Sequence, residues 1–365
     1  MSEAKPRILI LANSSGGLAS FRSELIRKLM ETYEVAAAVP MGNRVDELNA
    51  LGCRLIEVRM ERRGLNPISD YSLFRQFKAI IRREKPALVI TYTIKPNIYG
   101  CLAARMARVP YAANVTGLGT AFERGGMLKR LVVTLYKVSL RKAKVVFFEN
   151  AENCGIFTRE GIIPEEKTCV LSGAGVNLEK YSPLPYPEGE HPIRFLFMGR
   201  VMREKGVEEL FEAFRHLRAD GCDCVLDMLG NSEENYKDRI AACEAEGWLK
   251  YHGFQTDVRP FIRDAHCFVL PSWHEGMANT NLECAASARP IITSDIPGCR
   301  EAVVDGVSGL LCKPKDADSL YAALKRMAET PSEQRERMGK ESRRHMEENF
   351  DKRRVVQTTV SRMMR

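Results

Sequence analysis

Residues 193–207 read IRFLFMGRVMREKGV. The first six, Ile193–Met198, are almost all apolar, which is typical of a strand buried on both faces of a parallel sheet. Gly199 and a basic loop follow, and a helical pattern begins at Val207. A strand, a glycine turn and a helix in this order predict one unit of a doubly wound α/β domain.

The same alternation of short apolar runs and helical patterns extends in both directions from this stretch. The predicted strands are Arg7–Asn13, Val35–Pro40, Cys53–Val58, Ala87–Tyr92, Tyr111–Thr116, Lys144–Glu149, Ile193–Met198, Cys224–Leu229, Cys267–Leu270, Pro290–Ser294 and Gly309–Cys312. The predicted helices are Phe21–Glu31, Tyr71–Glu84, Asn97–Arg108, Met127–Lys142, Val207–Arg218, Asn235–Glu246, Ala278–Ala288, Ala317–Glu329 and Glu333–Asn349. A chain of 365 residues is too long for one ordinary core, so two Rossmann-like domains are predicted.

A proline-rich stretch marks the boundary between these domains. Residues 173–192 show neither the apolar runs of the predicted strands nor the helical pattern, and they contain four prolines near their end. This composition predicts a stiff, exposed linker. The predicted domains are residues 1–175 and 176–351, and a helix at about 352–365 is expected to cross back onto the first domain. Domain pairs of this kind bind substrate in the cleft between them, at the carboxyl ends of the strands.

The positive charge is concentrated in the first half of the chain. The net charge is +8, with 27 Lys and Arg against 16 Asp and Glu in residues 1–175 and 28 against 31 in residues 176–365. This asymmetry favours an anionic partner for the first half: nucleic acid, lipid head groups or a phosphorylated acceptor. No apolar run is long enough to span a membrane, and the run at the start lacks a cleavage site, so a cytosolic location is expected.

One basic segment is a candidate for membrane contact. In residues 124–144 an apolar stripe at helical spacing accompanies a cluster of basic side chains. The stripe is Leu128, Leu131, Val132, Leu135 and Val138, and the basic side chains include Lys129, Arg130, Lys137, Arg141 and Lys142. The segment fits a helix on an anionic membrane surface or, alternatively, a core-packed helix with a solvated basic face. Basic runs at Arg59–Arg63 and Arg82–Lys85 favour the membrane, and the lack of interleaved aromatic residues disfavours nucleic acid.

The cysteines and acidic residues do not predict a metal site. Eleven cysteines are scattered without any CxxC pair, so reduced, buried thiols are expected rather than a zinc site or a disulfide framework. No Asp-x-Asp pair falls in a suitable loop at a strand end. No cofactor is therefore expected to be required, although Mg²⁺ is not excluded.

The strongest chemical signal is Pro271–Glu283, which follows a predicted strand and opens a helix. Glu275 and Glu283 are eight residues apart and could bracket one ligand, Glu275 at a sugar and Glu283 at a ribose, since carboxylates accept hydrogen bonds from hydroxyls. The helix start between them offers backbone N–H groups to a diphosphate. The residues at this helix start are Asn279, Thr280 and Asn281. The alternative is an acidic loop followed by a surface glutamate.

Two further loops follow predicted strands. Arg200 and Lys205 could converge on a phosphate leaving group, the first as a bidentate fork and the second as a mobile point charge. An ordinary solvated basic loop would look the same. Gly16 and Gly17 follow the first strand, where glycine lets the backbone approach a diphosphate closely.

These segments together resemble the retaining GT-B glycosyltransferases of family 4. The resemblance covers nearly the whole chain and is strongest in GRVMREKG (199–206), HEGMANTNLE (274–283) and PIITSDIPGCREAVVDGVSGLL (290–311). It implies a UDP-sugar donor and retention of anomeric configuration. It also implies that Arg200 and Lys205 contact the donor diphosphate, that Glu275 contacts the sugar hydroxyls and that Glu283 contacts the ribose.

Within that family, the first half resembles a subgroup that acts on lipid-linked sugars. TYTIKPNIYG (91–100) and NVTGLG (114–119) carry this likeness. The subgroup includes enzymes that add N-acetylgalactosamine or galactose to an undecaprenyl-diphosphate sugar during surface polysaccharide or glycan assembly. The resemblance therefore implies such an acceptor, and a peripheral location on the inner face of the plasma membrane.

One departure from the family concerns histidine. Many members place a histidine of the first domain near the donor sugar, but residues 1–190 of this chain contain none. In a front-face displacement the leaving diphosphate can take the acceptor proton, so catalysis would depend on stabilising its charge. The residues expected to hold the sugar or the acceptor in place of the histidine are Thr93, Lys95 and Asn97. Thr116, in the second of the two motifs, is also expected to bind substrate.

Two other functions share this architecture. A UDP-sugar 2-epimerase should carry histidines and carboxylates near the sugar in its first domain, and the lack of histidine there argues against it. A non-catalytic subunit that binds a nucleotide sugar should have lost Arg200, Lys205 or Glu275, and all three are present. A nicotinamide enzyme is disfavoured because the first glycine turn lacks the dinucleotide pattern.

Overall fold

The chain forms two compact α/β units. The computed structural model describes residues 5–61, 64, 66–119, 122, 125–189 and 192–365. Unit 1 comprises Met1–Ala174 together with Arg353–Arg365, and unit 2 comprises Gly175–Lys352. Each unit has one parallel sheet with helices between successive strands, which confirms the predicted fold class.

Unit 1 has a seven-stranded parallel sheet in the order β3-β2-β1-β4-β5-β6-β7. Its strands are β1 Arg7–Leu11, β2 Glu34–Val39, β3 Arg54–Glu57, β4 Leu88–Tyr92, β5 Tyr111–Val115, β6 Val146–Phe148 and β7 Thr168–Val170. Its helices are α1 Ser15–Met30, α2 Val45–Ala50, α3 Pro67–Glu84, α4 Cys101–Met106, α5 Gly126–Leu140 and α6 Ala151–Arg159, and a π-helical turn at Pro96–Gly100 precedes α4.

Two hydrophobic cores cover the two faces of this sheet. One lies beneath α3, α4 and α5 and includes Phe77, Tyr136 and Phe157. The other lies beneath α1 and the last helix of the chain, which contributes Val355 and Met363. The chain therefore returns to unit 1 after completing unit 2, and both faces of the sheet are sealed as a parallel sheet requires.

Unit 2 repeats this plan with six parallel strands in the order β10-β9-β8-β11-β12-β13. Its strands are β8 Ile193–Met198, β9 Cys224–Leu229, β10 Leu249–Gly253, β11 Cys267–Leu270, β12 Ile291–Ser294 and β13 Gly309–Cys312. The remaining helices of the chain are α7 Val207–Ala219, α8 Lys237–Ala245, α9 Arg259–Asp264, α10 Asn279–Ala286, α11 Ala317–Glu329, α12 Ser332–Asn349 and α13 Lys352–Met364.

Several element boundaries differ from the sequence-based prediction. Helix α1 begins at Ser15 instead of Phe21, because the hydroxyl of Ser14 caps it by accepting the N–H of Gly17 at 3.1 Å. The helix predicted at Asn97–Arg108 is divided into the π-helical turn and α4. The elements that were not predicted are β7, β10, α2, α6 and α9.

Helix α5 does not present the predicted apolar stripe as one surface. Val132 is buried in the core with Tyr136 and Leu140, while Leu131 and Val138 are exposed. The helix therefore has a core-facing side, as the alternative interpretation supposed, and a separate exposed apolar side. The exposed side begins at Met127, whose side chain is 87% exposed.

The proline-rich stretch is exposed at Pro183 and Pro185, as predicted, but it is also anchored to unit 2. Arg289 is fully buried and donates to the carbonyl oxygens of Leu184 at 3.1 Å and Pro185 at 2.6 Å. Burial lowers the pKa of Arg289 to about 10. Arg335 donates to the Tyr186 hydroxyl at 3.2 Å, which fixes the next residue of the same stretch.

Arg62, Arg63, Arg124 and His191 lie outside the described residues. Among the described residues, no helix combines the length and the apolar character needed to cross a membrane. All eleven cysteines are free thiols, and ten are buried, with Cys222 partly exposed.

Close backbone contacts at two glycines fix the loops of unit 2. Gly230 follows β9 with a φ of +136°, and a Cβ there would overlap the carbonyl oxygen of Gly199, which follows β8. Gly206 has a φ of +71°, and a Cβ there would overlap the carbonyl oxygen of Pro271, which follows β11. Only glycine permits both the conformation and the approach, so these loops are held against one another.

We expect Gly230→Ala to destabilise unit 2 much more than Gly221→Ala does. Gly221 also has a positive φ, +79°, but no atom lies within 4 Å of a Cβ placed there, so alanine incurs only backbone strain of about 1–3 kcal/mol. Gly230→Ala adds a clash with the backbone and should cost at least about 2 kcal/mol more. Chemical denaturation would measure both, and equal losses would contradict the packing role of Gly230.

Candidate functional site

The strand order reverses once in each sheet, and the predicted site residues collect at those places. In unit 1 the reversal lies between β1 and β4, and in unit 2 it lies between β8 and β11. We call each of these the switch point of its unit. Because the connections after the two strands diverge there, the carboxyl ends leave a crevice that commonly binds ligands.

An ion pair joins the two loops at the switch point of unit 2. The ammonium of Lys205, in the loop after β8, contacts the carboxylate of Glu275, in the loop after β11. The Ser272 hydroxyl donates to the same carboxylate at 2.9 Å. The Lys205 and Glu275 side chains are 15% and 13% exposed, so both are largely desolvated yet reachable. The structure therefore brings these two predicted residues together.

Arg200 has a different immediate partner from Lys205. Its guanidinium pairs with Glu233 at 2.8 Å, and its side chain is half-exposed. Glu233 lies in the loop after β9, which is fixed by the contact between Gly199 and Gly230. Arg200 therefore lies at the same edge of the sheet, in a more solvated position.

The start of α10 supplies two backbone donors, not three. Asn281 N–H donates to the Ala278 carbonyl at 2.9 Å, and its fully buried side chain donates to the Thr293 hydroxyl at 3.1 Å. Within the described part of the chain, no backbone carbonyl accepts from Asn279 or Thr280. Glu283 lies in the second turn of this helix and is half-buried.

Backbone hydrogen bonds hold the Glu275 loop in place. Trp273 N–H donates to the Glu204 carbonyl at 3.0 Å, which ties the loop to the one that carries Lys205. Ala278 N–H donates to the Gly298 carbonyl at 2.7 Å, and Gly298 N–H donates to the Glu301 carboxylate at 2.7 Å. Glu301, noted in the sequence only as part of a motif, thus supports the loop after β12.

Trp273 is a neighbour of the site that sequence reasoning did not single out. Arg203 and Lys315 lie over its ring at 5.3 and 4.7 Å from the centroid, and its indole N–H donates to Glu209 at 3.1 Å. Its position two residues before Glu275 in the sequence could have indicated that it lies near the site. The contacts position two further cations near the loop.

In unit 1 the predicted glycines lie inside the first turn of α1. The N–H of Gly17 is taken by the Ser14 cap, and a Cβ on Gly16 would lie 3.4 Å from the Asn43 carbonyl oxygen. The neighbours that closely approach the backbone at these glycines are therefore other residues of unit 1, Ser14 and Asn43.

The loop after β4 contains the other predicted residues of unit 1. Asn97 is fully buried, accepts from the Thr91 hydroxyl at 2.7 Å and donates to the Asn114 carbonyl at 2.8 Å, so it links β4 to β5 and does not face a ligand. Lys95 pairs with Asp70 at 2.8 Å. Thr93 and Thr116 are partly exposed and follow the adjacent strands β4 and β5.

No metal centre is evident among the described residues. Within residues 5–61, 64, 66–119, 122, 125–189 and 192–365, no three His, Cys, Asp or Glu side chains are grouped to hold an ion. The charged groups at the switch point of unit 2 can bind a ligand that is both anionic and rich in hydroxyls. Lys205 and Arg200 suit a phosphate, and Glu275 and Glu283 suit sugar hydroxyls.

Family comparisons agree with this division of the chain. Residues 7–150 match the family described as glycosyl transferase 4-like, and residues 185–345 match glycosyl transferases group 1. The solved structures with similar folds include a glycosyltransferase from Rickettsia africae, with a TM-score of 0.77 and 18% identity, covering 98% of both chains. They also include Anabaena HepE in complex with UDP-glucose, with a TM-score of 0.80 and 16% identity, again covering 98% of both chains.

Curated relatives extend over most of the chain. An N,N'-diacetylbacillosaminyl-diphospho-undecaprenol α-1,3-N-acetylgalactosaminyltransferase of Campylobacter jejuni is 30% identical, covering 88% of this chain and 89% of the relative. A UDP-Gal:α-D-GlcNAc-diphosphoundecaprenol α-1,3-galactosyltransferase of Escherichia coli is 27% identical over 73% of each chain. With two family matches, a GT-B fold and a relative of this extent, the chain belongs to the group 1 and 4-like glycosyltransferases.

Proposed function

We propose that this glycosyltransferase moves a hexose or N-acetylhexosamine from a UDP-sugar to an undecaprenyl-diphosphate-linked sugar, with retention of anomeric configuration. The observation that carries the proposal is the ion pair between Lys205 and Glu275 at the switch point of unit 2. The acceptor class is supported by the Campylobacter and Escherichia relatives, whose names specify diphospho-undecaprenol sugars.

In the proposed reaction the bond between the anomeric carbon and the β-phosphate oxygen breaks, and a bond from that carbon to the acceptor oxygen forms. The acceptor hydroxyl gives its proton to the departing diphosphate, on the same face of the sugar. This route suits a chain whose first 190 residues contain no histidine. Negative charge grows on the diphosphate, so cationic groups beside it lower the barrier.

In unit 2, cations and backbone N–H groups would bind the diphosphate, and carboxylates would bind the hydroxyls of the sugar and the ribose. Lys205 is held near the proposed diphosphate by its contact with Glu275, and Arg200 would add a second, more solvated cation. The N–H groups of Asn279 and Thr280 would face the same phosphates at the start of α10. Glu275 would accept hydrogen bonds from the donor sugar and Glu283 from the ribose.

We also propose that unit 1 rests on an anionic membrane surface at the cytoplasmic side. With the last helix included, unit 1 holds 31 Lys and Arg against 16 Asp and Glu, a net charge of +15. Unit 2 holds 24 against 31, a net charge of −7. The unit that would bind the lipid-linked acceptor is thus the one attracted to anionic head groups.

The layer formed by α3, α4 and α5 is the part of unit 1 best suited to such contact. It exposes six large apolar side chains: Ile68, Tyr71, Met106, Met127, Leu131 and Val138. The acidic residues of these three helices, Asp70 and Glu84, are buried and ion-paired, so their exposed charges are positive. Apolar side chains among basic ones match the boundary between head groups and acyl chains.

Lys205→Ala and Glu275→Ala should each lower turnover by at least about 100-fold, because each removes a preorganised contact to the donor. The assay is release of UDP from a panel of UDP-sugars, with and without an undecaprenyl-diphosphate-sugar acceptor. Lys325→Ala, which breaks an exposed ion pair with Asp220 in the same unit, is the matched control and should retain activity. Near-normal rates in either site variant would remove the site assignment. Isomerised donor without acceptor would instead support an epimerase.

Turnover should persist in excess EDTA, because Lys205 and Arg200 are proposed to offset the charge on the diphosphate. Initial rates with EDTA and with added Mg²⁺ should agree within about twofold. An enzyme that stops in EDTA and recovers with Mg²⁺ would show that a metal is needed.

The double variant Met127→Ser/Leu131→Ser should bind anionic vesicles at least about tenfold more weakly, since burying each side chain fully is worth about 1.5–3 kcal/mol. Sedimentation with vesicles of phosphatidylglycerol and phosphatidylcholine measures the binding. Val304→Ser/Val307→Ser changes two exposed apolar side chains of unit 2 and should bind like the unaltered protein. Equal losses in both variants would argue against this surface.

A further inference from the structure

The turn that follows β4, residues 93–96, has an unusual backbone. Thr93 has a φ of +73°, in the left-handed region that β-branched residues strongly avoid. The other non-glycine residues described with positive φ are Arg44, Lys85, Arg108, Ala288 and Lys315, none of them β-branched. Strain of this kind persists where the surroundings impose it, and it is concentrated at functional sites.

Buried polar atoms in the same turn lack hydrogen bonds. The Thr93 hydroxyl is buried and has no hydrogen-bond partner among the described residues. The Lys95 ammonium is ion-paired with Asp70 at 2.8 Å and makes no hydrogen bond to any other described residue, so it has N–H donors left for a ligand. Buried polar groups are nearly always satisfied, so the Thr93 hydroxyl and the remaining donors of Lys95 are available to a ligand that enters this turn.

Asp70 explains how Lys95 is held in this position. Asp70 lies in the first turn of α3, is buried and also accepts from the Tyr99 hydroxyl at 3.0 Å. Tyr99 belongs to the π-helical turn, so the carboxylate joins α3 to the segment that carries the lysine. The Lys95 side chain is 12% exposed, which leaves its charge largely desolvated and strong toward an anion.

The rest of the segment is rigid. The π-helical turn begins directly after Lys95, and such turns occur frequently at functional sites. Asn97 ties it to β4 and β5, and a Cβ on Gly100 would lie 2.6 Å from a methyl carbon of Leu11 in β1. The turn is therefore fixed against both strands of the switch point in unit 1.

We propose that this turn binds a diphosphate, with Lys95 contacting the phosphate, Thr93 donating its hydroxyl, and Asp70 acting as a positioning residue for Lys95. The proposal rests on the proposed function in one respect: it assigns the diphosphate to the lipid-linked acceptor. A nucleotide-sugar donor also contains a diphosphate, so the experiment separates the two sources. The competing interpretation is an ion pair that only joins α3 to the π-helical turn.

Binding of two probes to the full chain tests the site without requiring turnover. Farnesyl diphosphate carries the acceptor's head-group chemistry, and UDP carries the donor's. Calorimetry should show that Lys95→Ala lowers the affinity for farnesyl diphosphate at least tenfold and changes the affinity for UDP less than twofold. A lower affinity for UDP with an unchanged affinity for farnesyl diphosphate would overturn the assignment. A wild-type chain that binds no farnesyl diphosphate would overturn it as well.

Turnover and stability measurements separate the ligand role from a structural one. Thr93→Gly relieves the backbone strain, so its unfolding midpoint should not fall, while the KM for the lipid-linked acceptor rises at least fivefold. Ala288→Gly relieves a positive φ of +59° in unit 2, after α10, without a change of charge, and it should leave both KM values unchanged. Asp70→Asn should raise the acceptor KM with the donor KM unaltered.

Two results would contradict the site. One is an unaltered acceptor KM and farnesyl diphosphate affinity in folded Lys95→Ala and Thr93→Gly. The other is a parallel loss for donor and acceptor that tracks a lower unfolding midpoint, as a purely structural ion pair would give. Absence of turnover with every lipid-linked acceptor, alongside normal farnesyl diphosphate binding, would count against the proposed function and not against the diphosphate site.

Discussion

Reversal of strand order in a parallel sheet is the constraint on which the rest of this structure depends. Where the connections of two adjacent strands run in opposite directions, the carboxyl ends of those strands leave a crevice that no crossover helix covers. In unit 2, β8 and β11 meet in this way, and their loops carry Lys205 and Glu275, which are 70 residues apart in sequence. In unit 1, β1 and β4 meet likewise, and the strained turn at Thr93 follows β4. The location of the polar groups therefore follows from topology before any side chain is considered.

Loops at such an edge must keep their shape with little hydrophobic packing of their own, and the two units achieve this differently. Unit 2 brings backbones together at glycines: Gly230 against Gly199, and Gly206 against Pro271. Unit 1 uses side chains, with Asn97 bridging β4 and β5 and Asp70 pairing with Lys95. The glycine contacts tolerate little substitution, because a side chain there would clash with the facing backbone. A buried ion pair positions its two residues by charge, and loss of one partner destabilises the fold because the other charge is left buried and unpaired.

The sequence predicted the elements whose signal is local. Ile193–Met198, Cys224–Leu229 and Cys267–Leu270 match their strands because each is mainly apolar and almost wholly buried, and the two charged residues in them, Arg194 and Asp227, pair with each other. β7 and β10 were missed because they lie at sheet edges, where Thr168–Val170 is only three residues long and Leu249–Gly253 includes charged and polar side chains. The edge strands β3 and β13 were nevertheless predicted, so short length or polar composition, and not edge position alone, concealed β7 and β10.

The site was predictable to the extent that its residues lie in contiguous motifs. Lys205 and Glu275 each follow a strand, and parallel topology brings strand ends to one edge, so their meeting could be expected. The pairing of Lys95 with Asp70 depends on how α3 packs, which no local pattern encodes. The positive φ of Thr93 could not be predicted either, because sequence rules expect that conformation at glycine and an extended one at a β-branched residue.

Charge acts on two length scales in this protein. Unit 2 has a net charge of −7, so its overall field does not favour an anionic donor, and attraction must come from cations within a few ångströms of the phosphates. Lys205 satisfies this because it is 15% exposed, where screening by salt is weak. The field of unit 1, with a net charge of +15, reaches about 8–10 Å at physiological salt, which is the range needed for the proposed contact with an anionic surface but is too diffuse to select one phosphate. Selecting one phosphate needs a fixed, desolvated charge, and in unit 1 Lys95, held by Asp70, has that character.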